Sequence, residues 1–260
     1  MSKGARRVDL RRFRDGACRA DVDVVVEECA IALSYNGVAH AVMMATPTDL
    51  DDFALGFSLH EGIVSSLDEC RSIDATRRDA GWVIDIAIPQ QRFDALAAMQ
   101  RRLIGNSACG LCGTESLAVA MRPAPAVDAG RIAAAEIVAA LDALPAMQRL
   151  NAATGGAHVA AWCDASGIRL LREDVGRHGA FDKLGGALAH AGIDAAAGFA
   201  IVSSRASHEL VHKAAMSGIG TLVAISAPTS AAIDLAMRCG LRLIGFARDG
   251  AMNLYTRGFE

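Results

Sequence analysis

The feature that most constrains the fold is the alternation of short apolar segments with helical segments after Asn151. Strands are expected at His158–Cys163, Ile168–Leu171, Phe199–Ser203, Thr221–Ile225 and Leu241–Phe246. Helices are expected at Gly179–Ala191, Ser207–Ser217 and Ser230–Cys239. Strands that alternate with helices indicate a sheet covered by helices, much of it parallel. The second half of the chain is therefore predicted to be an α/β domain.

The first half reads as a smaller α+β portion. Asn36-Gly37 is a strong hairpin signal between two strand-like segments, Asp21–Leu33 and Val38–Met44. A helix is expected to begin at Thr48 or Asp49 and to end near Gly62. Further expected elements are a strand at Trp82–Ile88 and helices at Phe93–Ile104 and Ala129–Leu144, the last closed near Pro145. We expect residues 21–122 to form this portion and residues 123–260 to form a cofactor-binding α/β domain.

Residues 1–20 are strongly basic. No apolar segment follows them as a signal peptide would require, so we predict a solvated, flexible tail. The alternative is an arm that docks an acidic partner. The basic side chains are Lys3, Arg6, Arg7, Arg11, Arg12, Arg14 and Arg19.

Composition excludes several classes of protein. A net charge of −3 gives no reason to expect nucleic acid or an anionic membrane as a partner. No apolar run reaches the roughly 18 to 20 residues that span a bilayer. Seven cysteines without framework spacing fit reduced thiols in a cytoplasm better than a disulfide scaffold.

The segment Asn106–Glu115 holds a CxxC pair, Cys109 and Cys112, with a glycine after each cysteine. Glycines leave the two thiols on an open loop, and a helix capped by Thr114 or Ser116 would favour the thiolate of Cys112. Three chemistries fit the pair. They are thiol–disulfide exchange, sulfur carriage as a persulfide, and a zinc site completed by His158, Cys163 or His178.

Polar loops follow the predicted strands of the α/β domain. Serines, arginines and helix N-termini that converge on one crevice are suited to an anionic, phosphate-bearing ligand. His208 and His212 lie four residues apart on one predicted helix, which permits a metal pair, but a solvated or dimer-facing helix is favoured. The polar loops are Ser203–Ser207, Ser226–Ser230, Phe246–Gly250 and Arg172–His178.

Five linked motifs, in consistent order from about residue 23 to Tyr255, resemble the formate dehydrogenase accessory sulfurtransferase (FdhD) family. Together they are far more specific than any one of them. The motifs are Cys109–Ser116, Thr154–His158, Glu173–His178 with Asp182-Lys183, Ser226–Ser230 and Gly245–Arg248.

The resemblance implies a cytidine-deaminase-like α/β fold, a homodimer and a cytoplasmic location. It implies a sulfurtransferase that takes sulfur from a cysteine desulfurase and sulfurates the bis(molybdopterin guanine dinucleotide) molybdenum cofactor for formate dehydrogenase. The cofactor would be a bound substrate, and no intrinsic metal is expected. Cys109 would carry the persulfide and Cys112 would assist it. A cofactor-binding chaperone without sulfur transfer and a zinc-dependent hydrolase are the alternatives.

The resemblance also implies residues that would bind the guanine dinucleotide. Ser204 stands where the family commonly has glycine, and Gly179 stands where it commonly has asparagine, so contacts at those two loops are less well supported than the cysteines. The zinc deaminase signature requires His-x-Glu, which this sequence lacks, so the fold does not imply deamination. The binding residues would be Phe246, Ala247, Arg248, Asp249, Gly250 and Ala251, with Arg205, Arg177 and His178 as a second tier.

Overall fold

The computed structural model describes residues 2–106, 123–256 and 258. The N-terminal elements are β1 (Ala5–Arg14), β2 (Ala17–Val26), β3 (Cys29–Tyr35), β4 (Val38–Ala45), α1 (Leu50–His60), β5 (Ser72–Arg78), β6 (Gly81–Ala87) and α2 (Gln90–Asn106). The C-terminal elements are α3 (Ala134–Met147), α4 (Arg149–Thr154), β7 (His158–Asp164), β8 (Gly167–Asp174), α5 (Arg177–Ala191), β9 (Phe199–Val202), α6 (His208–Met216), β10 (Thr221–Ala224), α7 (Ser230–Cys239), β11 (Arg242–Arg248) and β12 (Ala251–Leu254). Two short 3-10 helices lie at Leu67–Glu69 and Ala195–Ala197.

The C-terminal half is built on a six-stranded sheet of order β12-β11-β10-β9-β7-β8. β9, β10 and β11 are parallel, whereas β7 runs antiparallel to both β8 and β9, and β12 runs antiparallel to β11. The predicted α/β architecture is therefore confirmed, with strand ends shifted by up to three residues. The parallel part is smaller than predicted because β7 and β8 form a hairpin, and a hairpin can only pair antiparallel strands.

Both faces of this sheet are covered. Alternate residues of each strand point to opposite faces, so Val159 and Ala161 of β7 pack with α3, while Ala160 and Trp162 pack with α5, α6 and α7. The helix predicted at Ala129–Leu144 continues through Pro145 to Met147. It therefore ends near Pro145, as predicted, but it begins at Ala134, five residues later than predicted.

The N-terminal half contains a second, four-stranded sheet of order β4-β3-β6-β5. Its core joins the apolar face of α1 to β3 and β6, with Phe53 and Phe57 among the packed side chains. The predicted Asn36-Gly37 turn is confirmed, since both residues have positive φ angles, 48° and 80°. Gly62 follows α1 as predicted, with a φ of 68°. Asp49 occupies the N-cap position but makes no side-chain capping bond.

The expectation that residues 1–20 form a tail without regular structure is wrong. β1 and β2 pair antiparallel along their whole length, from Ala5 opposite Val26 to Arg14 opposite Ala17. The turn between them is Asp15-Gly16, whose φ angles of 52° and 76° are those of a tight hairpin. An Asp-Gly dipeptide is a hairpin signal, and the abundance of arginine around it obscured that signal. The domain boundary near residues 122 and 123 stays a prediction.

The two halves meet where α1 crosses α5 at glycines. A Cβ atom on Gly56 would lie 1.7 Å from the carbonyl oxygen of Asp182, and one on Gly186 would lie 2.0 Å from the carbonyl oxygen of Asp52. Real atoms cannot approach so closely, so this crossing requires glycine on both helices. The backbone of α1 is thereby held against the backbone of α5.

A buried charge cluster lies beside this crossing. Asp182 accepts hydrogen bonds from Lys213 Nζ and His60 Nδ1, each at 2.7 Å, and His60 Nε2 lies 2.7 Å from the Ser217 hydroxyl. Burial alone would raise the pKa of Asp182, but Lys213 and His60 hold that pKa below its ordinary value. The carboxylate is therefore ionised and links α1, α5 and α6.

We predict that Gly56→Ala lowers the free energy of unfolding by about 3 kcal/mol or more, because the added methyl group forces two helix backbones apart. Chemical denaturation followed by circular dichroism measures this loss. Gly37→Ala is the control: its φ of 80° is strained for alanine but the space is open, so its cost should be about 1 to 2 kcal/mol. Equal losses for both variants would contradict the close helix contact.

Candidate functional site

Three polar loops meet at the carboxyl edge of the parallel strands. The β9–α6 and β10–α7 loops are joined by backbone hydrogen bonds, from Ala206 N to Ala227 O at 3.2 Å and from Thr229 N to Ala206 O at 3.0 Å. The next loop joins them through Phe246 N, which donates to Ser226 O at 3.1 Å. The loops therefore form one continuous edge, as predicted for loops that follow neighbouring parallel strands.

Gly245 allows the last of these loops to approach its neighbour. A Cβ atom at this position would lie 2.8 Å from Pro228 Cδ and 3.3 Å from Ser226 O. Any larger residue would push the β10–α7 loop away from β11. This contact gives a physical reason for the glycine that opens the Gly245–Arg248 motif.

The start of β7 extends the same edge, because β7 runs antiparallel to β9. The Ser203 hydroxyl accepts a hydrogen bond from Val159 N at 3.0 Å and lies 3.2 Å from His158 Nδ1. Burial, with a smaller effect of Arg177, lowers the pKa of His158 below its ordinary value. His158 is therefore a neutral imidazole at pH 7 and can exchange a hydrogen bond with a ligand.

The β8–α5 loop contributes Arg177 and His178, and a buried carboxylate orders it. Asp174 accepts hydrogen bonds from Gly176 N at 2.8 Å and Thr46 N at 3.0 Å, and it pairs with Lys183 Nζ at 2.6 Å. Asp174 and Lys183 have no exposed side-chain surface. The loop that presents Arg177 and His178 is thus fixed from below by a buried ion pair.

The position of the Asp174 carboxylate explains why residue 179 is a glycine. A Cβ atom at Gly179 would lie 2.7 Å from Asp174 Oδ1, so the first turn of α5 can pass over the carboxylate only with glycine in this geometry. The departure from the family's Arg-His-Asn pattern therefore has a local packing reason in this chain.

Arg177 and His178 are half-buried, and their side chains have different surroundings. Arg177 Nε is buried and has no hydrogen-bond partner among the described residues. His178 Nε2 lies 3.3 Å from Glu209 Oε2 without hydrogen-bond geometry. Burial lowers the pKa of His178, opposed by Glu209 and aided by Arg177. The Arg177 N–H lacks a partner among the described residues, and rotation of either side chain would turn these buried nitrogens toward a ligand at the edge.

The predicted cofactor-binding stretch, Phe246–Ala251, forms a bulged turn between β11 and β12. The register shifts between Gly245 and Arg248, and the φ angles of Phe246 and Asp249 are positive, at 51° and 54°. Residues other than glycine rarely adopt this conformation, and such strain is typical of functional loops. Phe246 is 38% exposed, and the Arg248 guanidinium carbon lies 5.9 Å from the centre of its ring. The turn thus presents an aromatic face together with a cation.

The same stretch borders a cavity of about 310 Å³ between the turn and α3. Such a space accepts one portion of a large ligand rather than the whole. The residues that line it are Val138, Leu141, Asp142, Pro145, Ile225, Ala247, Arg248, Asp249, Gly250 and Ala251.

The structure places the predicted residues unevenly. Arg248, Arg205, Arg177 and His178 all lie on loops of the one edge, with Arg205 exposed after β9. Ala247 points into the core and is fully buried. Cys109 and Cys112 lie outside the described residues.

Metal ligands were also predicted as an alternative. Within residues 2–106, 123–256 and 258, no three His, Cys, Asp or Glu side chains gather closely enough to hold a metal ion. His208 and His212 lie on α6, as the spacing predicted, and burial lowers the pKa of His208.

The sequence did not predict the contacts that Ser203, Lys183 and Asp174 make. Ser203 connects His158 to the carboxyl edge, and the ion pair fixes the loop before α5. The sequence signal for this ion pair is the charged dipeptide Asp182-Lys183 inside a helix of mostly small and apolar residues.

We predict that Lys183→Met lowers the free energy of unfolding by about 3 to 5 kcal/mol, because it leaves the Asp174 carboxylate buried without its counter-charge. Thermal or chemical denaturation measures the loss. The double variant Lys183→Met with Asp174→Asn should recover part of it. Arg169→Met breaks the exposed pair with Asp164 and should cost no more than about 1 kcal/mol. A Lys183→Met protein as stable as Arg169→Met would refute this role of the buried pair.

Fold and site together define a mixed α/β protein whose loops gather cations, backbone amides and an aromatic ring at one sheet edge. No helix in the described part of the chain is long and apolar enough to cross a membrane. The sequence model of the FdhD/NarQ family matches residues 26–259. This chain belongs to the FdhD/NarQ family.

Relatives match nearly the whole chain. The sulfur carrier protein FdhD of Xanthomonas campestris pv. campestris (strain B100) is 50% identical over 249 residues, covering 95% of this chain and 89% of the relative. The sulfur carrier protein FdhD of Cupriavidus necator (strain H16) is 47% identical and covers 95% of this chain and 86% of the relative.

A solved structure has the same fold. It is a protein from Desulfotalea psychrophila described as a formate dehydrogenase accessory protein, with a TM-score of 0.76 and 97% of each chain covered. Sequence identity to that protein is 21%, so the likeness concerns the fold.

Proposed function

We propose that this protein is a sulfur carrier that serves the maturation of a formate dehydrogenase. The observation that supports this most directly is the family membership: relatives that share half of its residues across 95% of the chain are named sulfur carriers. The Cys109 and Cys112 pair supplies the thiol chemistry such a carrier needs. The basic sheet edge supplies a place for an anionic substrate.

Loading is a thiol exchange without net oxidation. The Cys109 thiolate attacks the terminal sulfur of a persulfide on the donor, a cysteine desulfurase. The donor's sulfur–sulfur bond breaks and its cysteine leaves as a thiolate, so Cys109 gains one sulfur atom. The reaction requires a thiolate, which a neighbouring thiol and helix N-terminus would favour.

Release needs two electrons, because sulfane sulfur must become sulfide. In our proposal the Cys112 thiolate attacks Cys109 Sγ, and a disulfide forms between the two cysteines as sulfide leaves. The sulfide would replace an oxygen ligand of the molybdenum in the substrate, and that oxygen would leave as water. The two thiols are oxidised as the sulfur is reduced. A dithiol reductant then restores the pair for the next turn.

The substrate is proposed to be the bis(molybdopterin guanine dinucleotide) form of the molybdenum cofactor. Arg248 and the amides of the Phe246–Ala251 turn would bind its phosphates, and the exposed Phe246 ring offers a stacking face for guanine. Arg177, Arg205 and His178 would extend the contact along the edge. Arg177 is suited to this because its Nε lacks a partner among the described residues.

The remaining features of the proposal come from the family. They are a cytidine-deaminase-like arrangement of the central sheet, a homodimer, a cytoplasmic location, and formate dehydrogenase as the client. Helix α6 is the candidate dimer face. No sulfur-transfer step depends on the dimer.

The test is intact-protein mass spectrometry after incubation with a cysteine desulfurase and cysteine. The parent protein should gain about 32 Da, the mass of one sulfur atom, and dithiothreitol should remove it. Cys109→Ala should abolish the gain, whereas Cys112→Ala should gain sulfur and release it more slowly.

Cys70→Ala is the matched control. Cys70 is half-buried against the core of the N-terminal sheet, and burial raises the pKa of its thiol to about 11, which suppresses the thiolate. This variant should load like the parent. No added sulfur on the parent, or an undiminished gain on Cys109→Ala, would overturn the carrier proposal.

A further inference from the structure

The hairpin β1–β2 is a two-stranded sheet that pairs with no other described strand. Among the described residues, it contacts the rest of the chain at its base, where Ala5 is buried and Val26 packs by Gly156. Most residues beyond this base are exposed. A two-stranded hairpin of this kind is marginally stable in water, so an additional contact would stabilise it.

The hairpin differs in charge from the rest of the chain. The whole chain has 26 basic and 29 acidic residues, and residues 1–26 contain seven of the basic and four of the acidic ones. The remainder therefore has 19 basic and 25 acidic residues. The hairpin is a cationic element on an anionic body.

Most of this positive charge is not neutralised by the residues that the structure describes. Arg12 pairs with Asp21 at 2.5 Å and approaches Asp23 at 3.9 Å. Within the described part of the chain, the other arginines of the hairpin make no ion pair. They are Arg6, Arg7, Arg11, Arg14 and Arg19.

The register of the hairpin places cations and apolar side chains on one face. Arg7 lies opposite Val24, Arg11 opposite Ala20, and Phe13 opposite Cys18, and alternate residues of a strand share a face. The same face holds Val22 and, opposite it, Asp9, which is the one acidic side chain among these positions. Phe13 is 73% exposed and Val22 is 40% exposed. We define the surface formed by Arg7, Arg11, Phe13 and Val22 as the arginine face.

We propose that the arginine face docks an acidic, extended segment of a partner protein. Arginine fits carboxylates with two parallel hydrogen bonds, and Phe13 and Val22 supply the apolar contact that a purely ionic surface lacks. An extended segment can also pair with the free edges of the hairpin through its backbone. This proposal is independent of the sulfur chemistry.

The charges favour this occupant over two others. A second copy of the hairpin would place arginines against arginines, which is how edge strands are kept from pairing with themselves. A nucleic acid carries a phosphate at every nucleotide, so it would extend beyond the arginines onto the anionic body. An acidic segment of limited length pairs with the arginines and ends before it meets that body.

A cavity of about 1100 Å³ lies at the base of the hairpin, and basic side chains line it together with the acidic side chains of Glu27, Asp49 and Glu173. Lys3, Arg77 and Arg149 are among its lining residues, and none of them makes an ion pair with another described residue. Trp82 also lines this cavity. A segment that leaves the arginine face toward Lys3 would find further cations and an aromatic side chain.

The test uses fluorescence anisotropy with a labelled peptide in which glutamate alternates with valine. The full-length parent protein should bind it, and a peptide with glutamine in place of glutamate should bind at least about tenfold more weakly. Arg7→Glu with Arg11→Glu should weaken binding of the glutamate peptide by about tenfold or more. Phe13→Ala should weaken it by a smaller factor.

Arg71→Glu with Arg78→Glu is the matched control, because it reverses two exposed arginines outside the hairpin and leaves the net charge equal to that of the test variant. It should bind the peptide like the parent, and circular dichroism should show both variants folded. Equal loss in both variants, no preference for glutamate over glutamine, or tighter binding of a single-stranded DNA oligonucleotide than of the peptide would overturn the proposal.

Discussion

The ion pair between Lys183 and Asp174 is the interaction on which the arrangement of the site depends. Both charges are fully buried, and Lys183 also donates to Thr46 O at 2.9 Å while Asp174 accepts from Thr46 N at 3.0 Å. The pair therefore joins the end of the N-terminal sheet to the first turn of α5. A buried charge is costly without its partner, so moving the two halves apart at this contact would be unfavourable. The glycine crossing of α1 and α5 then brings the two helices to backbone contact.

This geometry also sets the positions of the polar loops. The loop before α5 joins the loops after β9, β10 and β11 in one edge, and backbone hydrogen bonds rather than side chains hold the last three together. Side chains such as Arg205 and Arg248 are therefore not needed to hold the loops together, and both are exposed. An edge that is held by backbone hydrogen bonds and carries exposed cations is suited to hold a large anionic substrate in one orientation.

Much of the fold could be predicted from the sequence, because the spacing of apolar residues indicates which side chains are buried. The apolar strands around Ala160, Ile201 and Val223 were recognised, and so was the helix Ser230–Cys239, because their sequences leave no other way to bury them. Strands β5 and β12 were missed because they are largely exposed and lack an apolar alternation. The predicted alternation of strands and helices correctly placed the polar loops at the carboxyl edge of the parallel strands. The contacts among Ser203, His158 and Val159 could not be predicted, since they depend on the antiparallel placement of β7, which no local pattern encodes.

The central claim is that one protein both carries sulfur and holds the cofactor that receives it. The most direct measurement is a single-turnover experiment in which the protein is loaded with radiolabelled sulfur and mixed with desulfurated bis(molybdopterin guanine dinucleotide) molybdenum cofactor. The account predicts that the label moves to the cofactor on the parent protein and stays on the protein in Arg248→Ala, which should load normally. Label that leaves both proteins at the same rate, or that never reaches the cofactor, would contradict the account.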